Sequence, residues 1–242
     1  NGRTYTIDAK KISSILISIT NNDAQANTAL NVFPLSVDSI KLVWEGKFAS
    51  SSNPIKRLKT YFKANEIGGD VKALLEKMFA FYSKPENIYG TDIRQVVVTD
   101  SILVSTFATS KGYPATSFIY DLIGQLRKYT AAQAANETGS PMLNITTADS
   151  INYLTKVAIP VDKKLPSSGN ISYRWMMGGG KILITEIKGG PGSINEAFRQ
   201  IEYYIADHRR TAPAIPFLSL VTDRAKEPDT SKWVTRIYYP VM

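Results

Sequence analysis

The 242-residue chain has no cysteine and one histidine, His208. Thiol catalysis, thiolate zinc sites and disulfides are therefore excluded, and neither a multi-histidine metal centre nor a serine-histidine triad has its parts. No apolar run reaches the roughly 18 residues that a membrane-crossing helix needs. Gly178-Gly179-Gly180 matches neither nucleotide fingerprint, and no Gly-Lys-Ser/Thr follows it, so the triplet reads as a bulge or sharp bend. Charge is not concentrated either. The net charge is +8, but residues 1 to 94 hold thirteen basic and nine acidic groups and residues 95 to 242 hold sixteen and twelve. An even excess of four in each part suits solubility or weak attraction to anionic surfaces better than a nucleic-acid site.

What is present is a composition of 43% hydrophobic and 21% charged residues, that of a globular protein, and an internal repeat. From Lys181 the chain reads as a strand (Lys181 to Lys188), a Gly-Gly-Pro-Gly turn, an amphipathic helix (Ser193 to about Arg209) and two further strands (Phe217 to Thr222, Trp233 to Val241). The same β-α-β-β order occurs once before. A shift of 80 lays Ile102 to Ser105 on Ile182 to Thr185, and one of 75 lays Ile119, Ile123, Leu126 and Tyr129 on Ile194, Phe198, Ile201 and Tyr204. At 75, Pro141-Met142-Leu143 falls on Pro216-Phe217-Leu218, and at 80, Leu154 to Val161 falls on Val234 to Val241. Offsets that change between elements place the length differences in loops, where they are tolerated. Each copy offers one apolar sheet face and one apolar helix stripe. The fold class expected is α+β, a duplicated pseudo-twofold domain with an antiparallel sheet and two helices.

Repeat one is bounded at 95-161 and repeat two at 171-242, with a polar connector from Asp162 to Asn170. The helix of repeat one runs from about Thr116 to Ala135. The preceding strand is read as Val96 to Ala108, and Tyr89 to Asp92 as the linker into the repeats. Residues 1-90 form a smaller strand-plus-helix region. Residues 4 to 20 and 37 to 48 read as two long strands, and the stretch between them holds part of another. Asn53-Pro54 starts a helix. Its apolar stripe, Ile55, Leu58, Tyr61 and Phe62, is interrupted at Gly68-Gly69 and resumes with Val71, Leu74, Leu75, Met78, Phe79 and Tyr82.

These motifs carry a resemblance. Lys188-Gly189-Gly190-Pro191 before the second helix, Pro216-Phe217 at the next strand and the terminal Thr235-Arg236-Ile237-Tyr238-Tyr239-Pro240-Val241 resemble the GyrI-like effector-binding domains. These are a branch of the SOUL/GyrI superfamily also found on bacterial AraC-type and MerR-type regulators. The resemblance spans about residues 95 to 242 and implies a cleft that takes small, often aromatic, organic molecules. More loosely, residues 1-90 resemble the closing strands and helix of a START-like (SRPBCC) fold, with too few strands for its full cavity. Many GyrI-like relatives place a carboxylate in the terminal strand to receive cations. This chain has Arg236 there, and Lys156 at the repeat-equivalent position.

If Arg236 and Lys156 face the cleft, a neutral or anionic ligand is expected; facing outward, they are solvated. Strand alternation puts Trp233, Thr235, Ile237 and Tyr239 on one face and Val234, Arg236 and Tyr238 on the other. Tyr113, Tyr173, Trp175 and Tyr238 are candidate cleft walls, because their rings offer contact area with a polar handle. Tyr203 and Tyr204 read as core. Glu186 stands alone as an acid inside a central strand, as a ligand counter-ion, a general base or a partner of Lys188 or Arg236.

The reading is a non-catalytic module that senses or sequesters a small hydrophobic, neutral or anionic organic ligand, with no cofactor and no metal. The alternative is a GyrI-like hydrolase of electrophilic small molecules with Glu186 as the catalytic carboxylate. Haem binding, known among SOUL relatives, lacks ligands here. No helix-turn-helix precedes the repeats, so nucleic acid is not expected as a partner of this chain alone. Oligomeric state is open. Asn1 in place of Met reads as a truncated or processed N-terminus, which leaves bacterial cytoplasm and cell envelope both open.

Overall fold

The computed structural model describes residues 3–21, 24–36, 39–48, 51–147, 149 and 151–242, and the chain divides into two compact units, Asn1–Ser83 and Lys84–Met242. In the first, β1 (Thr4–Lys10), β2 (Ser14–Asn21), β3 (Ala24–Ser36) and β4 (Ser39–Lys47) form an antiparallel sheet in chain order, followed by helix α1 (Pro54–Tyr82). Residues 4 to 20, expected as one strand, are a hairpin in which Lys11 N–H donates to Ser14 O at 2.8 Å. A straight strand of that length would span roughly 55 Å and outrun any partner. The helix starts as expected, with Asn53 Oδ1 accepting from Ile55 N–H at 2.9 Å.

The helix does not break at Gly68-Gly69. An interior glycine costs about 1 kcal/mol relative to alanine, and here Ile67, Val71 and Leu75 flank the pair and pack on Ile17, Ile19, Ala26 and Leu30. That packing outweighs the propensity. The expected stripe is covered only at its middle: Ile55, Leu58, Tyr61, Phe62, Phe79 and Tyr82 are exposed. Arg3 ties β1's approach to the helix through Glu66, at 2.6 Å, and Asp70.

In the second unit a short helix, α2 (Pro85–Tyr89), precedes β5 (Arg94–Val97), β6 (Ser101–Lys111), α3 (Thr116–Ala132), β7 (Met142–Thr147) and β8 (Asn152–Val161). Then come β9 (Ser172–Met176), β10 (Lys181–Lys188), α4 (Pro191–Asp207), β11 (Phe217–Leu220) and β12 (Val234–Val241). Eight antiparallel strands form one sheet in the order β5-β10-β12-β11-β7-β8-β6-β9. Exchanging each strand for its repeat mate and reversing the order reproduces it. This is the expected duplicated α+β fold, and its pseudo-twofold passes between β7 and β11, where Leu143 pairs with its own repeat mate, Leu218. The segment expected as one strand from Val96 is two, and each lead strand lies on the other copy. β5 pairs with β10, and β9 pairs with β6.

Both helices cover one face. α3 buries Ile119, Leu122, Ile123 and Leu126 against Val104, Leu143, Val157 and Ile159, while α4 buries Ile194, Ala197 and Ile201 against Leu183, Ile237 and Val241. The offset of 75 places Ile119 and Leu126 on Ile194 and Ile201, as read from the sequence, and also brings Leu122 onto Ala197. The first-strand offset of 80 is out of phase by one. β6 pairs with β8 so that Val104 faces Ile159, and β10 with β12 so that Leu183 faces Tyr239. Val104 and Leu183, 79 apart, are both fully buried. A one-residue slip turns every side chain to the other face of a strand, so only 79 keeps the buried sets together.

The stretch read as a linker is packed. Tyr89 joins the α4 core, and the Thr91 and Thr185 hydroxyls meet at 2.5 Å. Tyr204 is half-buried edge-on to Tyr89, but Tyr203, expected in the core, is exposed. Gly178 and Gly179 form the expected bend, with Gly179 at φ 92°. Gly189 has φ 139°, and a Cβ there would lie 2.4 Å from Ser193 Oγ. The turn from β10 into α4 therefore requires glycine. Gly189→Ala is expected to destabilise this unit by more than about 1 kcal/mol, from left-handed strain and the clash together, with the shift read as a lower urea midpoint of the full chain.

Tyr89 gives a second expectation. Burial, and then a hydrogen bond from its hydroxyl to Asp207 Oδ2 at 2.9 Å, push the phenol well above its usual value. The fold prefers the neutral form, so this stabilisation is whole below the unfolded value near 10 and is lost as pH rises past it. Tyr89→Phe should flatten the loss of stability between about pH 9 and 11.

Candidate functional site

The residues singled out from the sequence separate onto two faces. Lys156, Glu186, Arg236 and Tyr238 lie on the sheet face without helices, as strand alternation requires once Thr155, Thr185, Thr235 and Ile237 are buried beneath α3 and α4. Glu186 Oε2 accepts from Arg236 Nε at 2.7 Å, with both side chains about half exposed. Tyr238 stacks on Phe217, ring centroids 4.9 Å apart. Lys156 is exposed and borders a groove of about 440 Å³ with Phe107, Leu154 and Arg174. On the helix side, Tyr173 and Trp175 pair with Val104 and Ile102 at the outer edge of the sheet. Trp175 is 60% exposed, and Lys164 Nζ stands 5.9 Å from the Tyr173 ring. Tyr113 lies on the turn into α3, edge-on to Tyr153 at 5.6 Å.

The repeats themselves meet on the helix side of the seam, and the sequence reasoning missed what joins them. β7 and β8 are connected by residues 148–151, but β11 and β12 by residues 221–233. The longer connection reaches across to the helix of the other repeat. The Tyr120 hydroxyl on α3 donates to Thr222 O at 3.3 Å and accepts from Arg224 N–H at 2.7 Å, while Arg127 Nη1 stands 3.9 Å from Asp223. Beneath this strap is a cavity of about 380 Å³ lined from both copies, by Tyr120, Arg127, Glu137 and Pro141 on one side and Leu220, Val221 and Asp223 on the other. Its charges are mutually paired, with Arg127 Nε 3.1 Å from Glu137. Burial raises the Tyr120 phenol, which therefore stays a hydrogen-bond donor at neutral pH.

Arg224 continues from this strap. Its guanidinium lies over the Trp233 ring, 4.6 Å from the centroid, and Nη2 donates to Thr235 Oγ1 at 2.6 Å. Desolvation holds it below the usual arginine range, with Tyr120 and Tyr113 acting in the opposite sense. Trp233 is itself fixed, donating from Nε1 to Glu227 O at 2.7 Å. The signal for all this was in the sequence as an unequal repeat connection that carries an arginine and a tryptophan.

A larger cleft, about 840 Å³, lies elsewhere, between α2, the end of β10 and α4. Glu86, Asp92, Glu186 and Glu196 line it, and the last three are paired with Arg94, Arg236 and Arg199. It lies between repeat two and the segment that precedes repeat one, and its carboxylates are largely neutralised, so size alone does not recommend it. Among the described residues no group of three or more acidic or histidine side chains is placed to hold a metal ion, and no helix is long and apolar enough to cross a membrane.

No protein-family model matches the chain, and no curated protein matches it. Solved structures do. The EcmrR C-terminal domain is similar with a TM-score of 0.54 at 16% identity, over 63% of this chain and 98% of that one. EcmrR in its DNA complex within EcmrR-RPo is similar with a TM-score of 0.55 at 15% identity, over 76% of this chain and 69% of that one. At such identities the likeness concerns the fold. The architecture is the α+β one that the GyrI-like motifs imply.

The strap depends on Tyr120. Tyr120→Phe removes both hydrogen bonds and leaves Arg224 N–H without its acceptor, so a loss of about 1–3 kcal/mol is expected. Cleavage by trypsin after Arg224 or Lys226 should quicken in the same variant, since the connection would detach from α3.

Proposed function

We propose that Lys84–Met242 is a small-molecule-binding domain whose ligand, a neutral or anionic organic molecule with an apolar or aromatic body, sits on the helix side of the seam. One observation carries the reading: the 221–233 connection of repeat two is bonded to α3 of repeat one and borders with it an open groove of ligand size. A ligand there touches both copies, so its occupancy is coupled to how the halves sit together. That is the physical requirement for a sensor. The fold shared with the EcmrR C-terminal domain, part of a protein solved in complex with DNA, supports the assignment by analogy. Tyr113 lies beside this seam. Lys156, Arg236, Glu186 and Tyr238 lie on the far face and would not touch its ligand.

The hydrolase alternative gains no support from geometry. Glu186 is bonded to Arg236 and open to water, whereas a general base of that kind needs a shielded site against the reacting atom.

The test is thermal stabilisation of the full chain by a panel of neutral, anionic and cationic aromatic molecules. Neutral or anionic members should raise the melting temperature, by the equivalent of about 2.7 kcal/mol at a hundredfold excess over Kd. Val221→Trp, which fills the cavity, should abolish the effect. Stabilisation by cations that survives Val221→Trp but is lost in Glu86→Gln would move the site to the larger carboxylate cleft and refute the seam.

A further inference from the structure

Arg224 is half-buried, and among the described residues its guanidinium makes no ion pair. Among the described residues its one side-chain hydrogen-bond acceptor is the neutral hydroxyl of Thr235, and its Nε is buried without a hydrogen-bond partner. The adjacent carboxylate is committed elsewhere: Asp223 faces Arg127 and Lys226, each at 3.9 Å, and accepts from Ala225 N–H at 3.1 Å. A desolvated positive charge without a counter-ion is unfavourable, and arginine offers five donors in a planar fork that suits a carboxylate.

The repeat mates isolate the feature. Thr155 and Thr235 are equivalent and both fully buried, yet Thr155 Oγ1 has no partner while Thr235 receives Arg224. Repeat one, with its short connection, brings no arginine to that position. The guanidinium is therefore an addition specific to the strap and not a requirement of the shared fold. It lies over the ring of Trp233, which is itself buried. Its backbone N–H is bonded to Tyr120, which lines the seam cavity.

We propose that Arg224 anchors the carboxylate of an aromatic or apolar organic acid, with the groove beside Tyr120 taking its uncharged body. The inference rests on the seam reading for the position of that body, and adds to it the charge of the ligand and the residue that selects it. Trp233 holds the guanidinium plane by its face, and Thr235 fixes one edge. The anion thus meets a donor set whose orientation is already decided.

The experiment is calorimetric titration of the full chain with 2-naphthoate and with 2-naphthamide, which has the same shape without the charge. The unmodified protein should bind the acid about ten- to hundredfold more tightly than the amide. Arg224→Gln should erase that preference while changing amide affinity by no more than about twofold, and Arg224→Lys, which keeps a point charge without the fork, should retain part of it. Equal affinities in the unmodified protein, or a preference that survives Arg224→Gln, would overturn the anchor and leave the seam reading standing. Binding of neither probe at millimolar concentration would overturn both. Should Arg224→Gln melt far below the parent, the lysine variant decides, because loss of the fork without loss of charge still lowers acid affinity only if the anchor is right.

Discussion

Two register pairs hold the second unit together as one object. β7 meets β11 through Leu143 with Leu218 and Met142 with Ser219, and without that short ladder the copies would be two four-stranded sheets, each with an open edge. An unpaired edge presents donors and acceptors that must find partners. Here each copy's inner edge is satisfied by the other, and Leu143 and Leu218 bring apolar surface from both copies to the axis. The lead strands add to this, since β5 and β9 cross to the opposite copy. Neither copy can be removed without stripping a strand from the other, so the duplication is structurally obligatory.

The face chosen by the helices follows from alternation. Every second residue of β6, β8, β10 and β12 is apolar or threonine, and those are the positions under α3 and α4: Val104, Thr106, Thr155, Val157, Leu183, Thr185, Thr235 and Ile237. Threonine suits a strand through its branched side chain but brings a hydroxyl that needs a partner when buried. Thr185 finds Thr91, and Thr235 finds Arg224. The segment before β5, which looks like a connection by composition, thus acts as a polar complement to the core of the second copy.

How much of this was legible depends on whether a feature repeats. Paired patterns in the chain lead to the two helices, the antiparallel sheet and the buried alternation of β8 and β12, because period and spacing survive translation into structure. Features that occur once were not legible in that way. The hairpin at Lys11–Ser14 hides in a run that alternates throughout, and Gly68-Gly69 reads as a break because propensity is local while the packing of Ile67 and Val71 is not. Lead-strand exchange leaves no local mark at all. The offset of 80 for the first strand rests on similarity of residue type, and Ile, Leu and Val are interchangeable enough to hide a slip of one. At the candidate site, Tyr113 was named from its aromatic character, whereas Tyr120 and Arg224 were not named because they sit on a helix and in a loop, where strand alternation carries no information.

The far face offers a check on where ligand polarity is decided. The repeat mate of Arg236 is Lys156, and at the phase of 79 the mate of Glu186 is Phe107. Repeat two therefore holds a neutralised pair, 2.7 Å apart, where repeat one holds a cation beside an exposed ring. Both side chains of the pair are about half in water, where a charge is well solvated and a counter-ion adds little. The situation of Arg224 is the opposite: desolvated, stacked and bonded to a neutral hydroxyl. A charge discriminates between ligands in proportion to what water has ceased to do for it. By that measure the arginine on the strap is better placed than Arg236 in the last strand to discriminate an anion.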